Sequence, residues 1–217
     1  VRTKGRPGDL VTAADHAAQE RVVEVVTEAY PDHAVVGEEE GIPDVVPETG
    51  PAWVIDPIDG TNNYVRGLGL WATSVAAVED GDPVAAATVL PVLDDAYVAG
   101  AGSGHLNGTP LAVNDRDDLG AGTVAVTSTM GPANRDRLGD VLSAVADRSY
   151  DVRRLGSAQT TLAFVAGGTL DAAVAVGRSN PWDTLGGAHL VRRAGGVVTD
   201  SSGEPWHHDA DGLVVSN

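Results

Sequence analysis

The sequence predicts an α+β protein whose second half becomes α/β. Two observations carry that expectation. Residues 72–113 alternate apolar, β-rich runs with turn clusters such as Glu79-Asp80-Gly81-Asp82 and Gly102-Ser103-Gly104, the pattern of antiparallel hairpins. From Thr123 onward, strand-like and helix-like runs take turns, as in a sheet whose strands are joined by helices.

In chain order, Thr12 and Asp15 have the spacing of a capping box, and Ala14, Ala18, Val22, Val25, Val26 and Ala29 recur at helical spacing until Pro31. Short apolar runs at 34–36 and 53–55 read as strands, each followed closely by acidic residues. After the hairpins, charge and glycine interrupt the periodicity at 115–122, which divides the chain into lobes 1–118 and 119–217. The second lobe reads as a strand at 123–127, a helix at about 133–146, a strand, a helix at 158–166, a strand at 171–176, a helix at 184–194 and a strand at 197–199. No repeat or low-complexity tract is visible.

Composition narrows the chemistry. With no cysteine, there is no disulfide framework, thiol nucleophile or cysteine-ligated zinc, so carboxylates are the main chemical resource. The net charge of −17, from 31 acidic against 14 basic residues, argues against nucleic acid and anionic membranes as partners. No apolar run approaches the ~20 residues that cross a bilayer, and no basic-then-apolar leader opens the chain, so a cytoplasmic location is expected. Lys4 is the only lysine and Phe164 the only phenylalanine. So acidic a surface suits concentrated salt, where the Debye length falls to about 3 Å, and a halophilic source is expected; an ordinary acidic enzyme is the alternative.

The densest chemical signal is Trp53-Val-Ile-Asp56-Pro57-Ile58-Asp59-Gly60-Thr61-Asn62, where an apolar strand ends in one aspartate and a Pro-punctuated turn delivers a second. Paired carboxylates suit a hard divalent cation, although Asp-Pro and Asp-Gly taken alone are ordinary turn chemistry. If Gly60-Thr61-Asn62 opens a helix, its free N–H groups suit an anion. Gly37-Glu38-Glu39-Glu40 offers a further carboxylate or merely a solvated face. Asp183, in Asn180-Pro181-Trp182-Asp183, stands where a helix N-cap belongs. The glycine-rich run 100–108 lacks the lysine of a P-loop and reads as hairpin turns. His207 and His208 read as a solvated turn, and Trp53 and Trp182 as packing behind the site.

In combination these pieces carry more. Asp-Leu-Val-Thr-Ala-Ala-Asp (9–15), Gly-Glu-Glu (37–39), Asp-Pro-Ile-Asp-Gly-Thr-Asn-Asn-Tyr (56–64), Leu-Gly-Ser-Ala (155–158) and Trp-Asp…Ala-Gly-Gly (182–196) occur in the order found in inositol monophosphatases, which the chain resembles over nearly its whole length. The resemblance implies the layered αβαβα sugar-phosphatase fold and a phosphomonoesterase dependent on two or three Mg²⁺ ions. The ions would be held by Glu38, Asp56, the Ile58 carbonyl, Asp59 and Asp183, with Gly60 and Thr61 taking the phosphate. By the same resemblance Asp15 and Thr61 position the attacking water, Lys4 lies near the metals, Gly156 and Ser157 contact substrate, and the protein is a homodimer. Animal members of that family place a glutamate shortly before the Trp-Asp to hold inositol hydroxyls, whereas 174–180 offers no carboxylate; Arg178 in that stretch reads either as facing a second phosphate or as a solvent-facing loop arginine. A small phosphorylated substrate is implied, either a polyol phosphate or fructose 1,6-bisphosphate. Rival readings are another sugar or nucleotide phosphatase on the same scaffold and a non-catalytic binding module. Family members also carry helical segments at both ends beyond what is matched here, so a trimmed chain is expected.

The charge makes salt dependence testable. The melting temperature should rise between dilute buffer and molar KCl, as screening relieves self-repulsion. An unchanged melting temperature would contradict this.

Overall fold

A computed structural model describes residues 1–3, 10–127 and 134–217. Lys4, Asp9 and the expected helix start at Ala133 therefore lie outside the described residues.

β1 (Arg2–Thr3) and β2 (Leu10–Val11) form a small antiparallel ladder ahead of α1 (Ala13–Ala29). Thr12 caps α1: its hydroxyl oxygen accepts from the N–H of Ala14 at 3.0 Å, while Asp15 Oδ2 accepts the Thr12 N–H at 2.8 Å. The first sheet then forms in the order β3 (Ala34–Gly37), β4 (Pro51–Asp59), β5 (Ala72–Glu79), β6 (Asp82–Leu90), β7 (Asp95–Ala99), β8 (Gly104–Leu106), β9 (Thr109–Pro110), with the short α2 (Thr61–Arg66) between β4 and β5. β3 and β4 are parallel and the remaining pairs antiparallel. The glycine-rich run falls in the β7–β9 turns, as expected.

The second sheet begins with β10 (Thr123–Thr127), α3 (Arg135–Ala146), β11 (Asp151–Arg153), α4 (Ala158–Ala166) and β12 (Ala172–Ala175). It ends with α5 (Pro181–Arg193), β13 (Val197–Thr199) and β14 (Leu213–Ser216), giving the spatial order β11-β10-β12-β14-β13. β11, β10 and β12 are parallel, and β14 runs antiparallel between β12 and β13. β14 has no counterpart in the sequence reading, because Leu213-Val214-Val215 is too short to show a period.

The layers follow from where apolar side chains point. α1 lies against β4, and α4 and α5 fill the space between the two sheets. α3 covers the far face of the second sheet through Leu138, Val126 and Val176. This is the αβαβα arrangement. Its central layer is tight because two glycines let α5 approach closely. A Cβ on Gly187 would stand 2.3 Å from Leu162 Cβ, and one on Gly186 would stand 2.6 Å from Ser74 Oγ.

Gly187→Ala should therefore lower stability by about 1–3 kcal/mol through overpacking, despite alanine's better helix propensity. Gly139→Ala in α3, where a Cβ meets nothing, should instead raise it by about 0.5–1 kcal/mol. Thermal denaturation of both variants checks the pair, and a stabilised Gly187→Ala would contradict the packing account.

Candidate active site and metal centre

The site starts with a fault in the β4–β5 ladder. Asp56 pairs with Ser74 and Asp59 with Ala72, so three steps along β4 match two along β5. In an unbroken strand, residues three apart point to opposite faces; this bulge turns Asp56 and Asp59 to the same region. Pro57 has no N–H to lend to the ladder, and its carbonyl accepts from the Thr73 hydroxyl at 2.7 Å. Asp56 sits on the inner face in register with Ala52 and Val54, facing the helices of the central layer.

Asp59 reaches the N-terminus of α4. Its Oδ2 accepts from Ser157 Oγ at 2.5 Å and from the Gln159 N–H at 2.6 Å, and its Oδ1 from the Ala158 N–H at 3.1 Å. A carboxylate from one sheet thus closes the first turn of α4, where free N–H groups favour negative charge. The Ser157 hydroxyl, expected to touch substrate, is committed to Asp59 and to Thr160.

Asp183 is not the helix cap expected from sequence. Asn180 occupies that position and Pro181 opens α5, which leaves the Asp183 carboxylate within the first turn, 3.3 Å from Asn180 Nδ2. The cap being elsewhere, Asp183 is available to the cluster. Asp56, Asp59 and Asp183 each present a carboxylate oxygen, all within 4.8 Å of one another. Glu38, half-buried after β3, faces the same group.

Asp15, in the first turn of α1, is fully buried. Its Oδ2 is held by the Thr12 hydroxyl at 2.6 Å, and its Oδ1 accepts from Thr61 Oγ1 at 3.1 Å. The Thr61 hydroxyl also lies 3.1 Å from the Ile58 carbonyl. Gly60 has φ of +92°, and a Cβ there would stand 3.0 Å from Ser157 Cβ and 3.2 Å from the Gly156 carbonyl, so glycine permits the end of β4 to approach the start of α4. Arg178 is exposed, and its charge acts on His208. No described contact ties it to the carboxylate group. His207 and His208 lie over the turn at Gly81, with His207 Nδ1 2.8 Å from Asp209. Trp182 is buried in the main core, while Trp53 donates to His33 Nδ1 at 3.1 Å.

The profile of the inositol monophosphatase family matches residues 1–217. The chain belongs to that family. It is 35% identical over 214 residues to the protein named Nus factor SuhB of Pseudomonas aeruginosa, covering 96% of this chain and 79% of that one. It is 36% identical over 210 residues to the fructose-1,6-bisphosphatase/inositol-1-monophosphatase of Aquifex aeolicus, covering 95% and 77%. Among solved structures, the IMPase of Thermotoga maritima superposes with a TM-score of 0.88 at 32% identity, over 99% of this chain and 81% of that one.

The family is metal-dependent, and in this chain the site gathers several carboxylates in a largely buried place. Burial, then the charges of Glu38, Asp59 and Asp183, push the Asp56 carboxyl well above the ordinary range. Burial, then the charges of Asp59 and Glu38, raise Asp183 as well. Asp59 is pushed up to about 6, burial outweighing its bonds to Ser157, Gln159 and Ala158. Asp56 Oδ1 is buried and has no hydrogen-bond partner among the described residues. An all-oxygen cluster with an orphaned buried acceptor fits a hard divalent cation. No helix among the described residues is long and apolar enough to cross a membrane.

Three supporting residues escaped the sequence reading. Gln19 clasps the Glu39 backbone, accepting its N–H at 2.9 Å and donating to its carbonyl at 3.1 Å. Asn63 donates to the carbonyls of Leu70 at 2.6 Å and Leu155 at 2.7 Å, tying α2 to the segment before α4. Gln159 donates to the Trp182 carbonyl at 2.6 Å. Gln159, flanked by Ser157, Thr160 and Thr161, looks like a surface residue until its partner is known, as do Gln19 and Asn63.

The raised carboxyls fix the sign of a pH effect. Asp59 holds its proton more tightly when folded. Its contribution to stability is therefore fully present below about pH 4 and is lost as pH rises through about 6; the loss is worth ~3 kcal/mol at neutrality. In EDTA at pH 7, Asp56→Asn should melt several degrees higher than wild type, at about 2–4 °C per kcal/mol for a domain this size, and the gap should close toward pH 5. An Asp56→Asn protein that melts below wild type in EDTA would contradict the electrostatic account.

Proposed function

We propose that this protein is a Mg²⁺-dependent phosphomonoesterase that hydrolyses a small sugar or polyol phosphate. The observation that carries the reading is the orphaned Asp56 oxygen inside a carboxylate cluster, with the buried Thr61, paired to Asp15, two residues along the chain from Asp59. Glu38, Asp56, Asp59, Asp183 and the Ile58 carbonyl would hold two or three Mg²⁺ ions. Bound there, the cations supply positive charge for an anionic phosphate and Lewis acidity toward water and the ester oxygen.

The chain's own residues do the rest. Thr12 fixes Asp15 Oδ2, so Asp15 Oδ1 presents a constant acceptor to the Thr61 hydroxyl. With its hydrogen directed to Asp15, Thr61 Oγ1 turns a lone pair outward and accepts a hydrogen from the attacking water. Backbone N–H groups of Gly60 and Thr61 would receive the phosphate oxygens. Water oxygen bonds to phosphorus as the ester oxygen departs and takes up a proton, giving orthophosphate and an alcohol without a covalent enzyme intermediate. Arg178 would face a second phosphate where animal inositol monophosphatases hold inositol hydroxyls. That position supports broad use of inositol 1-phosphate and fructose 1,6-bisphosphate rather than strict inositol preference. The working form would be a cytoplasmic homodimer.

The name Nus factor SuhB carried by several relatives favours a second reading, in which the fold serves a Nus-factor role with or without catalysis. The net charge of −17 weighs against direct contact with nucleic acid.

Phosphate release separates the readings. With Mg²⁺ in high salt the protein should hydrolyse both substrates, lose activity in EDTA and regain it on adding Mg²⁺, while Thr61→Ala should lose at least ~100-fold in kcat. Release that is undiminished in EDTA, or absent with every phosphate ester tried, would overturn the proposal.

A further inference from the structure

Gln159 is completely buried at the point where the two lobes' carboxylates meet, and nothing in the reaction above uses its side chain. Its backbone N–H is bonded to Asp59 Oδ2 at 2.6 Å. Its side-chain Nε2 donates to the carbonyl of Trp182, also at 2.6 Å. Trp182 immediately precedes Asp183 in the first turn of α5. One residue thus touches a ligand candidate from the first lobe with its backbone, and grips with its side chain the peptide that carries a ligand candidate from the second.

The surroundings make this tie stiff. Gly186 brings α5 so close that a Cβ there would stand 3.4 Å from Gln159 Oε1 and 2.6 Å from Ser74 Oγ. Gln159 Oε1 is buried without a hydrogen-bond partner among the described residues. Packing alone would be better served by an apolar side chain of similar volume, which would leave no buried acceptor unsatisfied. The Nε2 donor is what an apolar residue lacks.

We infer that Gln159 is a positioning residue: it fixes Asp183 against Asp59 and thereby sets the affinity of the site for divalent cations. The inference rests on the reading of this cluster as a metal centre. Mg²⁺ tolerates little departure from its coordination geometry, so a tie between ligands on separate lobes acts directly on binding.

The test uses Mn²⁺ binding to the substrate-free protein, followed by electron paramagnetic resonance, together with the melting temperature in EDTA. Gln159→Leu keeps the N–H to Asp59 and removes only the side-chain tie. Gln159→Met does the same with an unbranched side chain. Both variants should bind Mn²⁺ at least ~10-fold more weakly than wild type. Both should melt in EDTA close to wild type, and kcat should be largely restored at saturating Mg²⁺. Unchanged Mn²⁺ affinity in a folded variant would overturn the inference while leaving the metal centre intact. Wild-type protein that binds no Mn²⁺ would overturn the metal centre and this inference together. Failure of both variants to fold would assign Gln159 to packing and overturn the positioning role.

Discussion

Mutual repulsion among Glu38, Asp56, Asp59 and Asp183, gathered where water screens it only partly, is the constraint to which the rest of the structure answers. Interactions between charges that are weak in bulk water become several-fold stronger at the effective dielectric of a protein. The carboxylates come from β4 of the first sheet and from α5, so repulsion pushes on the packing of α5 against that sheet. The elements that resist it are identifiable. The bulge at Pro57 aims two aspartates from one strand, and the α4 N-terminus offers Asp59 three hydrogen bonds. Gly60, Gly186 and Gly187 permit backbone approaches that a side chain would prevent.

The buried side chains that brace the site are largely neutral amides. Gln19 holds the Glu39 backbone next to Glu38, Asn63 bridges α2 to Leu155, and Gln159 joins α4 to α5. A carboxylate in any of these places would add to the repulsion, and a buried ammonium would compete with a cation. Amides supply direction without charge. The metal-free protein thereby carries a stability cost concentrated at the functional site, where local rules of good packing and full hydrogen bonding are commonly broken.

How much of this the sequence disclosed follows from the range of each interaction. The α1 capping box, the hairpins, α4 and the alternation of the second lobe are local, and their patterns were readable within a dozen residues. The carboxylates were individually ambiguous and became informative only as an ordered set. What escaped depends on contacts distant in sequence: β14 finds its place only between β12 and β13, and Gln159 meets Trp182 only after α4 and α5 pack. Asp183 shows both limits. Its position at the start of a helix was legible, but Pro181 and Asn180 move the cap three residues earlier and release the carboxylate.

The central claim is that the cluster exists to hold divalent cations, and crystals grown or soaked with Mn²⁺ test it most directly through anomalous scattering. The account predicts an anomalous peak within coordination distance of Asp56 and Asp183, on the side of the cluster facing Asp15 and Thr61. Crystals at saturating Mn²⁺ with no peak among these carboxylates would contradict it.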